Sequence, residues 1–165
     1  MPGATVAVQD SYGNPIQTAV KDFTPVLDTS QYADGDVLFV AKELTGVSRK
    51  NGVPVELHSI IVSDGDDQNV GFDLIFSNAS ITLGTINSAV SISDADAANI
   101  IGVVSFTTSD MVDVINSRLF YKANIGQTLQ LAAGSSSVWI SGISRSGTPT
   151  YTASGMKMKL AFLGV

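Results

Sequence analysis

The 165-residue chain reads as all-β, an antiparallel β-sandwich, on three observations. Short apolar runs fill the sequence from Asp36 onward and are broken by turn signals at Asp34-Gly35, Asn51-Gly52 and Asp64-Gly65. Two runs alternate cleanly: Val70, Phe72, Leu74 and Phe76 fall on one face with Gly71 and Asp73 opposite, and Met156, Met158, Leu160 and Phe162 fall opposite Lys157 and Lys159. Helical signals occur in a single short segment.

Taken in order, residues 1 to 21 are small, polar and turn-rich, with Gly3, Gly13, Asn14 and Pro15 interrupting any period of two or 3.6. They read as an extended N-terminal arm, either a loosely ordered terminus or a segment that docks on a neighbour. The sandwich domain is expected over residues 22 to 165. Besides the two alternating strands, runs at 37 to 47, 55 to 63, 102 to 108, 117 to 122, 128 to 132 and 137 to 144 are apolar on both faces. Such strands are expected to be covered twice, by the second sheet and by a partner. A helix is expected over 94 to 101: Ser93 precedes Asp96 in the spacing of a capping box, Asp94 and Asp96 suit the positive helix start, and Gly102 can stop it. About eight strands with one connecting helix fit a jelly roll or another Greek-key sandwich.

Composition excludes several functions. Hydrophobic residues make up 44% and charged residues 15% of the chain, against ~25% charged in ordinary globular proteins. This low charge density predicts surface buried between subunits. Fifteen acidic and nine basic residues leave a net charge of −6, which repels nucleic acid and anionic membranes. Without cysteine there are no disulfides or thiolate metal sites. The first residues carry neither a basic segment nor an apolar run of signal-peptide length, and no stretch approaches the ~18 apolar residues of a membrane helix.

Catalytic patterns are lacking. His58, the single histidine, sits in a strand-like run between Leu57 and Ser59 and is expected to have a structural or surface role. Neither GxSxG, GxxxxGK[ST] nor GxGxxG occurs. The turn Asp64 to Asn69 offers alternating oxygens, but Ile75 stands where a calcium loop needs its glutamate, so a hairpin turn is the expectation. Asp66, Asp67, Asp73, Asp110 and Asp113 are the carboxylates available for an acid–base pair, and nothing in their spacing favours one pair. Asn78-Ala79-Ser80 matches a glycosylation sequon that is unused without secretion. Trp139, Tyr121 and Tyr151 are the candidates for a sugar-stacking platform. No catalytic, metal-binding or cofactor-binding residue is expected.

Three segments are similar to a family of tailed-phage virion proteins: AVSISDADAANIIGVVSF at 89 to 106, SRSGTPTYTASGMKMKLAFLGV at 144 to 165, and ELHSIIVSDGDDQNVGFDLIFSNAS at 56 to 80. The resemblance rests on their order: a helix opened by Ser-Asp-Ala-Asp, the IGVV strand, and Gly-Thr-Pro-Thr-Tyr before the last strand. It implies a jelly-roll capsid decoration, or cement, protein, made in the host cytoplasm and bound to the outer surface of the major capsid protein shell, usually as a trimer. The first twenty residues match least. Two alternatives stay open. A tail, baseplate or fibre module would present Trp139, Tyr121 or Tyr151 in a groove for a host surface or carbohydrate, and an enzyme would cluster His58 with aspartates in a deep pocket.

Overall fold

The computed structural model describes residues 17–164. Ten strands follow in order: β1 Gln17–Phe23, β2 Val37–Leu44, β3 Pro54–Asp64, β4 Gly71–Ser77, β5 Ile100–Phe106, β6 Met111–Asp113, β7 Arg118–Lys122, β8 Gln127–Gln130, β9 Val138–Arg145 and β10 Met156–Gly164. They form two antiparallel sheets. The six-stranded sheet runs β1-β10-β3-β7-β6, with β8 also paired to β3, and the four-stranded sheet runs β2-β9-β4-β5.

This order is that of a jelly roll. Chain neighbours alternate between sheets except for β4 and β5, a pair at the margin of the four-stranded sheet, and β6 to β8, which stay in the six-stranded one, and β10 and β9 return to the middle of their sheets. The strand opposite β3 on its far side is broken in two. β7 pairs with Ile60–Asp64 and β8 pairs with Pro54–Leu57, while β10 is bulged against β3 between Ala161 and Phe162. β6 adds a short hairpin strand at the margin.

Strand periodicity drives the packing. On β10 the alternating Met156, Met158, Leu160 and Phe162 are all buried, while Lys157 and Lys159 are exposed. Across the interior, Phe72 stacks on Phe106 with ring centroids 5.0 Å apart and meets Phe120 of the other sheet edge-on at 5.0 Å. Gly142 leaves room for the Phe39 ring, since a Cβ there would lie 2.3 Å from it.

Several expectations need correction. Residues 17 to 21, read as part of the arm, belong to β1 and pair along β10, so the sandwich begins earlier than residue 22; residues 1 to 16 lie outside the described residues. The helix is a single turn, Asp94–Ala97. Ser93 does cap it by accepting the Asp96 N–H at 3.1 Å, but Ile100 and Ile101 already belong to β5. Gly102 is therefore a strand residue, packed where a Cβ would lie 2.6 Å from Leu129. The three turn signals link strands of different sheets and close no hairpins: in each case the left-handed residue (Gly35, Gly52 or Asp67) turns the chain over the sandwich edge.

Candidate interaction surface

The two outer faces of the sandwich differ. On the four-stranded sheet, Val37, Ile75 and Ile143 point away from the main core yet are buried, because Ile81 and Leu83 of the β4–β5 connection cover them. Val90, Ile92 and Ile100 close that second cluster. The expectation that a partner covers the second apolar face of such strands is thus corrected for this sheet: on this side the chain covers itself.

The outer face of the six-stranded sheet has no such cover among the described residues. Register places Lys159, Ile61 and Tyr121 side by side across β10, β3 and β7. Val20 of β1 pairs with Ala161, and Val112 of β6 pairs with Leu119, on the same face. Val20 is 60%, Val112 58% and Tyr121 53% exposed. Between β1, β10 and β3 this face sinks into a recess of about 250 Å³ in which Ile61 is the exposed apolar side chain, above the core residues Phe23 and Met158, with Asp22, Lys157 and Lys159 at its rim. Lys159 bonds Asp22 at 2.6 Å.

At the other flank β6 and β7 close a hairpin whose tip is Ile115-Asn116. Both residues have positive φ, 57° and 63°, as in a type I′ turn, and the Val114 N–H donates to the Ser117 carbonyl at 3.0 Å across the hairpin. Such turns favour Asn-Gly; here the first position holds a β-branched residue that is 82% exposed. The Asp113 carboxylate accepts the Ile115 N–H at 3.0 Å and fixes the tip.

The structure spreads the residues singled out from sequence over separate parts of the sandwich. His58 lies where β7 gives way to β8, its carbonyl accepting the Ile125 N–H at 2.9 Å, and its ring stands 3.5 Å from Glu56. Asp67 and Asp113 share Arg118, at 2.9 and 3.6 Å. Asp73 binds Arg145 and Asp110 binds Lys122, each at 2.7 Å. Burial works against the charge of Asp110, but Lys122 and the Thr107 donors outweigh it and hold the carboxyl below its usual value. Asp66 accepts from Thr152. Asp64, only 1% exposed, accepts the Asp66 and Gln68 N–H groups, and desolvation nonetheless pushes its carboxyl up. The acidic turn is a clamp between sheets, tighter than the solvated hairpin expected. Among the described residues no three His, Asp or Glu side chains are grouped to hold a metal ion.

The aromatic candidates are dispersed. Tyr121 is on the bare face and Trp139 is half-buried on the outer side of the four-stranded sheet. Tyr151 is buried against Tyr32, edge to face at 5.9 Å, and desolvation pushes its phenol up. Tyr32, raised to about 12 chiefly by desolvation, donates its hydroxyl to the Leu38 carbonyl. These rings share no platform. Asn78 lies in the loop after β4, donating its backbone N–H to the Asn99 carbonyl.

No family model and no curated protein matches the chain. Among solved structures, desmodium yellow mottle tymovirus is similar at 11% identity and a TM-score of 0.29, over 99% of this chain and 88% of that one. Among the described residues no helix is long and apolar enough to cross a membrane.

Proposed function

We propose that this chain is a non-enzymatic virion structural protein that decorates the outer surface of a tailed-phage capsid, binding the major capsid protein shell and associating with copies of itself. One observation carries the reading: among the described residues, the jelly roll covers one outer face with its own β4–β5 connection and leaves an apolar band, Val20, Ile61, Val112 and Tyr121, on the other. A bare apolar face beside a self-covered one marks a binding surface. The low charge content and the resemblance of the segments at 56 to 80, 89 to 106 and 144 to 165 support the same reading.

The mechanism is linkage. A subunit that binds only the assembled shell stabilises it by mass action, and several weak contacts in one oligomer add through effective concentration. The alternative, a tail, baseplate or fibre module for sugar recognition, is weakened by the dispersal of Trp139, Tyr121 and Tyr151.

Cryo-electron microscopy of particles incubated with the purified chain tests the proposal. Density over threefold or quasi-threefold positions outside the shell is expected. Density confined to the tail would replace decoration with the alternative, and absence of binding to any part of the particle would overturn both.

A further inference from the structure

We infer that the Ile115 hairpin tip of one copy seats in the Phe23–Ile61–Met158 recess of a second copy, making a head-to-tail contact. The inference rests on the self-association proposed above and is independent of the shell.

Three observations meet in it. Ile115 holds a left-handed backbone that a β-branched residue disfavours, and its side chain makes no compensating contact with the core, being 82% exposed. Val112 and Val114 extend the same apolar tip. The recess offers an apolar floor of matching scale, about 250 Å³, on the same chain.

Charge is complementary as well. Around the tip, two carboxylates, Asp67 and Asp113, surround the single guanidinium of Arg118. Around the recess, two ammonium groups, Lys157 and Lys159, accompany the single carboxylate of Asp22. In the proposed contact this rim, with Asp66 beyond Lys157, would meet the opposite sign at the tip.

Topology sets the symmetry. Tip and recess are distinct places on one sheet, in the order β1-β10-β3-β7-β6, with Lys157 reaching the groove beside Ser117 at the base of the tip, so one copy can give its tip while receiving another's. Such a heterologous contact closes into a ring when the rotation permits. A second copy is therefore the occupant that supplies shape and charge together.

The test is complementation by sedimentation velocity on the full chain. The wild type is expected to form an oligomer that weakens as salt is raised. Ile115→Asn, which keeps the turn, and Ile61→Arg, which fills the recess from an exposed position, are each expected to weaken self-association by roughly thirty-fold or more, the loss of a central anchor. Circular dichroism checks that both remain folded, and Lys157→Glu repeats the recess arm without changing its floor. Mixed in equal amounts, the Ile115→Asn and Ile61→Arg chains still hold one intact recess and one intact tip, so a heterodimer is expected. A monomeric wild type, an Ile115→Asn chain that stays oligomeric, or a mixture that stays monomeric would each overturn the contact. A monomeric wild type that still coats particles would leave the decoration reading standing. An oligomer that ignores particles would keep the contact and remove that reading.

Discussion

Thr152 donates its backbone N–H at 2.8 Å and its hydroxyl at 3.1 Å to the carboxylate of Asp66, tying the β3–β4 turn to the loop before β10. Gly155 sits against this pair: a Cβ there would lie 1.7 Å from an Asp66 oxygen. Asp66→Ala and Gly155→Ala should each lower stability by about 1–3 kcal/mol in urea denaturation, since each breaks the same charge-assisted bonds. Combined, they should cost little more than either alone, because removing the carboxylate makes room for the new methyl. Full additivity would show that the clamp is not what Gly155 protects.

Acid should separate two other carboxylates by sign. Asp64 is raised in the fold, so as pH falls through its native value the folded state takes up a proton that the unfolded chain, titrating near about 3.9, does not. Wild-type stability should therefore rise relative to Asp64→Asn as pH is lowered from 7 toward that unfolded value. Asp110 is depressed, and its contribution, present above the unfolded value, is lost as pH falls through the native one. Wild-type stability should fall relative to Asp110→Asn below about pH 4. Thermal melts of the three proteins at pH 7, 5 and 3 read both trends, and parallel curves would contradict them.

Phe120 is the ring through which the six-stranded sheet reaches the aromatic pair of the four-stranded one, contacting Phe72 at 5.0 Å and Phe106 at 6.1 Å. Phe120→Ala should cost roughly 3–5 kcal/mol through lost burial and an unfilled cavity. Phe120→Leu, which refills most of that volume, should cost clearly less. Equal urea midpoints for the two variants would show that the site collapses and that the ring is not a bridge between sheets.

Sequence periodicity located the eight strands from β2 to β10 other than β6, because each carries buried residues at alternate positions or an apolar run between turns. β1 escaped it because Lys21 occupies an inward position between Ala19 and Phe23, spoiling the alternation. β6 is three residues long and too short to show a period. The Asp34-Gly35 and Asn51-Gly52 signals place the left-handed residue on their glycine, whereas after Asp64-Gly65 it falls on Asp67, and none of the three says whether the next strand pairs or crosses to the other sheet. Apolar residues on both faces were legible, yet sequence cannot distinguish Ile143, which Ile81 and Leu83 cover, from Ile61, which is 41% exposed. Ile115 gave no signal, since an Ile-Asn pair is not the expected chemistry of a two-residue turn.

That mismatch makes a stability prediction of its own. Ile115 loses no core contact on substitution, being outside the sandwich, while its backbone bears the crowding that a left-handed conformation imposes on a β-branched side chain. Ile115→Asn should therefore stabilise the monomer by about 1 kcal/mol, which for a chain of this size raises Tm by about 2–4 °C. Asn116→Gly should add a smaller gain at the second turn position. Melts must be run at the lowest workable concentration, because an oligomer that binds through Ile115 would itself raise the wild-type Tm by mass action. Under those conditions an unchanged or lowered Tm in Ile115→Asn would show that the tip is unstrained. A raised Tm together with lost self-association would mean that the hairpin gives up folding stability to present an apolar side chain to its neighbour.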